Sequence, residues 1–126
     1  MPFYRFMGIQ LTQLGYGRSE IRVKVGKRVT QLEGVAHGGV SVALVDSAVG
    51  LAVCTMIEVG RAIATIDLQV NFLAPTKPGL LTARGRVIHK GKRIAVGDCE
   101  VTDRNGKLVS KGTATYIILD DKGPVS

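Results

Sequence analysis

Asp46 is the one charged side chain in the apolar stretch Gly34 to Ile57, which reads GVAHGGVSVALVDSAVGLAVCTMI. An uncompensated carboxylate in apolar surroundings is costly, so a chain that keeps one there gives it a partner or a task. A carboxylate on a desolvated helix can act as nucleophile or general base toward an acyl carbon, a use that burial favours by raising a carboxyl pKa. The competing account is a carboxylate satisfied by local backbone, or by an arginine where two copies meet.

His37-Gly38-Gly39 opens the same stretch. Unpaired N–H groups at a first helical turn, backed by the helix dipole, form a cradle for a carbonyl oxygen that gains charge. Glycine lets a substrate come close to that backbone. Taken alone, the triplet also suits an ordinary loop-to-helix junction with His37 as its cap. Spacing adds a constraint. Gly38 and Asp46 are eight residues apart, so along one helix ~12 Å separates them. Attack needs reacting atoms about 3 Å apart. If both groups act on one carbonyl, they come from two copies of the chain whose helices run antiparallel across a twofold axis.

The elements that must hold these residues follow from periodicity. From Val40 onward the stretch is apolar on every side, which predicts a helix buried all round, ending near Ile57 with Gly60 as its stop. Two alternating strands precede it, on either side of Gly15-Tyr16-Gly17, and Gly26 to Gly34 is loop. After the helix, Ile66, Leu68, Val70 and Phe72 alternate with Thr65, Asp67, Gln69 and Asn71, which predicts a strand with two distinct faces. Leu80 to Ile88, Arg93 to Thr102 and Leu108 to Leu119 are further strands, the last two joined by an Asn-Gly hairpin at Asp103 to Gly106.

Consecutive strands with short turns make an antiparallel sheet. One apolar helix and one sheet have an economical solution: an α+β fold in which a five- to six-stranded antiparallel sheet wraps a long buried central helix. The pairs Ala83 and Gly85, Ala95 and Gly97, and Gly112 and Ala114 would let the helix lie close, or would serve as bulge and twist positions. The whole chain, 1–126, reads as one domain, with 1–7 a lead-in and 120–126 a frayed tail. Open edges and leftover apolar area predict a dimer.

Composition narrows the function classes. The 126 residues carry a net charge of +7 but no tryptophan, and few aromatics argue against a stacking platform for single-stranded nucleic acid. Cys54 and Cys99 lie far apart in no metal-ligand spacing, which favours a reduced cytoplasmic protein without a metal site. The N-terminus lacks the apolar run of a signal peptide. Asp46 in mid-stretch would cost about 3 kcal/mol in a membrane, so no membrane span is expected. Ser41 and Ser47 lack a nucleophile-elbow context, Cys54 lacks a paired histidine, and His89 reads as a turn residue. Between Asp67 and Asp98 there is no acid, yet Lys77, Arg84, Arg86, Lys90, Lys92 and Arg93 lie there. Solvated strand and turn positions, or a local site for phosphates, account for them equally.

His37-Gly38-Gly39, Leu44-Val45-Asp46 and Gly50 resemble the HGG-x6-D-x3-G signature of the PaaI-like (phenylacetate-degradation type) hotdog-fold acyl-CoA thioesterases. The resemblance runs on through Thr65 to Leu68, Asn71 to Pro75, Val87 to Lys92 and the Asp103 to Gly106 turn. It implies a hotdog fold, a homodimer paired into a tetramer, and metal-free hydrolysis of an acyl-CoA thioester, with coenzyme A entering only as part of the substrate. By the same resemblance Asp46 is nucleophile or general base, Gly38 the oxyanion donor, and His37 shapes the pocket with Gly39 beside it. Thr65 faces the site, and Gln31 stands where the family tends to have the asparagine that orients the water or the thioester. Lys90, Gly91, Lys92 and Arg93, with Lys77, are implied for the nucleotide end. Val49, Val53 and Phe72 are candidates for an apolar acyl pocket suited to aryl or medium-chain groups. The alternatives are a non-catalytic acyl-CoA-binding hotdog protein, a basic nucleic-acid module, and a hotdog dehydratase, whose catalytic pair is not recognisable.

Overall fold

The computed structural model describes residues 8–26 and 38–120. Six strands and one helix occur among them: β1 (Gln10–Gly15), β2 (Arg18–Val25), α1 (Gly38–Cys54), β3 (Ile63–Phe72), β4 (Gly79–Lys90), β5 (Ile94–Thr102) and β6 (Leu108–Ile118). The strands form a sheet in the order β1-β2-β4-β5-β6-β3. Every neighbouring pair is antiparallel. Local chemistry sets the two tightest turns. Gly17 takes a φ of 72° between β1 and β2, a left-handed conformation that side chains resist. Between β5 and β6, Asp103 Oδ1 accepts from the N–H groups of Asn105 and Lys107, both at 2.9 Å.

α1 lies across one face of the sheet. Val40, Ser41, Leu44, Val45, Ala48, Val49, Ala52 and Val53 are buried, the spacing of one helical face. They pack on Ile21, Val23, Leu81, Ala83, Ala95, Cys99, Val101 and Ala114. Glycines in the sheet allow the close approach. A Cβ on Gly85 would lie 2.6 Å from the Ala48 carbonyl carbon and oxygen, and one on Gly112 would lie 2.6 Å from the Gln69 oxygen and 2.8 Å from Val45.

The expected all-round burial of α1 needs correction. Val42, Ala43, Asp46, Ser47, Gly50 and Leu51 are only half-buried, and Gly39 and Cys54 are exposed. A single sheet covers one side of a helix, and the apolar far side faces outward in one copy of the chain. The helix end also differs. α1 stops at Cys54, and the N–H groups of Thr55 and Met56 close onto the carbonyls of Leu51, Ala52 and Val53. Gly60, with φ 95°, lies six residues further on and serves a separate turn.

Polar contacts fix α1 along the sheet. Ser19 Oγ donates to the Ala48 carbonyl at 2.5 Å, and Ser110 Oγ to Ser41 Oγ at 2.9 Å, both buried. At the far end the Gly17 N–H donates to Thr55 Oγ1 at 2.6 Å.

The sheet face turned away from α1 is charged and internally paired. Glu20 accepts from Thr12 Oγ1 at 2.7 Å and from Arg84 Nε at 3.0 Å, with Arg22 at 3.7 Å. The Thr12 hydrogen bond, then the positive charges of Arg84 and Arg22, outweigh burial and hold the Glu20 carboxyl below its ordinary value. A carboxyl lowered in the native state stabilises the fold fully above its unfolded value, here 4.5. That contribution is lost as pH falls through the lower native value. Glu20→Gln is therefore expected to flatten the acid limb of the stability curve, read as melting temperature from neutral pH downward, and to shift neutral-pH stability the most.

Candidate active site

Asp46 projects from the outward side of α1 where β6 and β3 meet the helix. Two hydroxyls reach it. Thr65 Oγ1 donates to Asp46 Oδ1 at 2.9 Å, and the Tyr116 hydroxyl lies 2.8 Å from the same oxygen and 2.6 Å from the Asp46 carbonyl. Thr65 and Tyr116 are register partners across β3 and β6. A bulge between Thr65 and Asp67 makes this possible. Strict alternation would set Thr65 opposite Leu68 and Val70; the extra residue, Ile66, puts all three on the helix side. The sequence pattern grouped Ile66 with the inward residues, and the structure corrects that: Ile66 is 56% exposed.

Gly38 begins α1 beside a groove of about 440 Å³ lined by Ser41, Phe72, Leu73, Ala74, Pro75 and Thr76. A Cβ on Gly38 would already press the Phe72 ring at 3.3 Å. Phe72 is 58% exposed and borders this groove, whereas Val49 and Val53 are fully buried between helix and sheet. The last two are closed off by the sheet, and of the three residues only Phe72 borders a groove. Asp46 does not border this groove. Eight residues of helix, ~12 Å, lie between Gly38 and Asp46. Within one copy of the chain they do not converge. Gln31 and His37 lie outside the described residues, and Gly39 is exposed in the first turn of α1.

The basic stretch divides into two sets. Arg84 pairs with Glu20, and Arg86 binds Asp98 in a two-pronged contact at 3.0 and 3.3 Å, so both carry a carboxylate partner already. These residues line a larger cavity, about 590 Å³, on the sheet face away from α1 and remote from Asp46. Lys90, Lys92 and Arg93 are exposed and form no ion pair among the described residues. Lys90 ends β4, with His89 before it in the same strand rather than in the turn expected for it. Gly91, whose N–H donates to the Ile94 carbonyl at 2.7 Å, Lys92 and Arg93 form the turn, next to the Ala95–Tyr116 pair. Lys77, also exposed, follows the groove at Gly38.

Neither thiol suits catalysis. Burial pushes Cys99 up to about 12, and desolvation also raises Cys54. Among the described residues no three His, Cys, Asp or Glu side chains gather to hold a metal ion. No helix there is long and apolar enough to cross a membrane.

Sequence reasoning missed Tyr116. It reads as one more residue of the last strand, 70 positions from Asp46. The signal available was a tyrosine at the apolar end of the strand, beside Ile117 and Ile118, since a buried phenol needs a partner.

One helix laid across a six-stranded antiparallel sheet is the hotdog fold. Residues 33–110 match the thioesterase superfamily. The 1,4-dihydroxy-2-naphthoyl-CoA hydrolase of Listeria monocytogenes is 30% identical over 118 residues, covering 94% of this chain and 96% of that protein. A thioesterase of Haemophilus influenzae superposes with a TM-score of 0.89 at 30% identity, over 97% of this chain and 85% of that one. The PaaI protein of the E. coli phenylacetic acid degradation operon shares the fold, with a TM-score of 0.89 at 24% identity over 96% and 86% of the two chains. The chain belongs to the thioesterase superfamily.

Proposed function

We propose that the chain hydrolyses an aryl- or medium-chain acyl-CoA thioester to the free acid and coenzyme A. The observation that carries this reading is the Asp46 carboxylate, held by two hydroxyls on the outward side of α1. In this reading Asp46 either takes a proton from water, which attacks the thioester carbon, or attacks that carbon itself. The carbonyl oxygen becomes an oxyanion and takes the Gly38 N–H of a second copy. The C–S bond then breaks and the coenzyme leaves as its thiol, taking the proton that Asp46 removed from water. On the nucleophilic route water then hydrolyses the Asp46–acyl anhydride, releasing the acid, restoring the carboxylate and supplying that proton. Gln31 orients the water or thioester, and His37 and Gly39 shape the pocket. Because ~12 Å separates Gly38 from Asp46 along α1, the site is complete only in a homodimer, which pairs further into a tetramer. The half-buried Val42, Ala43 and Leu51, and the open edge at β3, support that assembly.

The aryl preference draws on the naphthoyl-CoA hydrolase relative and on the Phe72 groove. The free thiols Cys54 and Cys99 suit a reducing cytoplasm. Lys90, Lys92 and Arg93 are the cations for the phosphates of the coenzyme, with Gly91 giving backbone access and Lys77 a further cation near Gly38. Each exposed ion pair is worth about 0.5 kcal/mol, so the Lys92→Ala, Arg93→Ala double variant should raise KM about 5-fold. Added salt should erase most of that difference.

The reading is tested by thiol release from alkyl- and aryl-CoA panels. Turnover supports it. Saturable binding of acyl-CoA with no thiol released would leave a non-catalytic binder instead.

A further inference from the structure

The buried phenol of Tyr116 has an unusual placement. Its residue is 2% exposed, its ring lies beneath Gly50, where a Cβ would touch the hydroxyl at 3.4 Å, and its oxygen meets both the side chain and the main chain of Asp46. We infer that Tyr116 is the positioning residue that sets which oxygen of the Asp46 carboxylate faces the substrate, an inference that rests on the thioesterase reading above.

Two donors converge on Oδ1, Tyr116 from the sheet interior and Thr65 from its edge. Among the described residues none bonds to Oδ2, the oxygen that faces the incoming group. The donors are not equivalent. Thr65 is exposed on the edge strand β3, with backbone pairing on one side only. Tyr116 sits on β6, paired on both sides, and a buried aromatic ring has few rotamers to choose from. A phenol carries one proton, so its bond is shared between the Asp46 carbonyl and Oδ1. This ties the carboxylate to its own backbone and limits rotation about χ1. Positioning of this kind changes the fraction of encounters that react and leaves the binding surface for the acyl-CoA as it was.

Tyr116→Phe keeps the ring and removes only the hydroxyl. Loss of a hydrogen bond to a charged group should lower kcat about 10- to 100-fold, with KM within about 2-fold and melting nearly unchanged. A defect of general packing would lower the melting temperature first and move KM and kcat together. Asp46→Asn, assayed in parallel, separates two failures. If Asp46→Asn abolishes turnover while Tyr116→Phe retains full kcat, the positioning role falls and the thioesterase reading stands. If Asp46→Asn turns over normally, the thioesterase assignment of Asp46 falls. A crystal structure of Tyr116→Phe decides the geometry independently of activity. The expected result is an Asp46 side chain spread over more than one rotamer; a single, unchanged rotamer overturns the inference.

Discussion

Asp46→Asn should lower kcat for thioester hydrolysis by about 10²- to 10⁴-fold, the range for losing a positioned general base, and a lost nucleophile would cost at least as much. The substitution is well matched to its purpose. An asparagine oxygen still accepts from Thr65 and Tyr116, so the geometry that holds the side chain survives and only the charge and basicity go. Because Asp46 is only half-buried, the fold has little to lose, and the melting temperature should stay within a few degrees. Steady-state thiol release, alongside thermal unfolding and the oligomeric state, checks the result. Turnover that survives in a folded variant would take the chemistry away from this residue.

The largest expected effect on stability lies at Gly85. Strand propensity alone predicts that valine there helps, by up to about 1 kcal/mol. Packing predicts the reverse. A Cβ at Gly85 would stand 2.6 Å from the carbonyl carbon and oxygen of Ala48 and 2.9 Å from the Val49 nitrogen. These are backbone atoms of a hydrogen-bonded helix and cannot rotate aside. Overpacking costs about 1–3 kcal/mol even where side chains can shift, so Gly85→Val should lose about 3 kcal/mol or more. From a typical stability of about 5–15 kcal/mol, that is a large share. The urea midpoint should fall with little change in slope. A midpoint equal to wild type would mean that α1 can lift off the sheet.

The architecture was readable because periods of two and of helical length are written plainly. The Asn-Gly hairpin and the Gly15-Tyr16-Gly17 break fall where turn chemistry places them, while β4 runs two residues past its expected end, through His89 and Lys90. What the pattern hid was anything decided by a partner distant in the chain. Period-two counting assumes an unbroken ladder, so it assigned Ile66 to the inner face and missed the bulge that turns Thr65 toward Asp46. An apolar ring cannot reveal which side the sheet takes, so α1 seemed enclosed, and Val49 and Val53 passed for pocket residues when they are core. Tyr116 is recognisable only once β6 lies under α1. The acid-free stretch resolved into arginines paired with acids and cations without an acid among the described residues only when Glu20 and Asp98 were set beside it.

A rod of valine, alanine and glycine is nearly a smooth cylinder, and grease alone would let it roll or slide on its bed at small cost. Four sites act against that freedom: Ser19 at Ala48, Ser110 at Ser41, Gly17 at Thr55, and Tyr116 at Asp46. They work like keys in a shaft, adding little grip but choosing one rotation. Without such keys the greased rod would have no one angle at which its acid meets Thr65 and Tyr116.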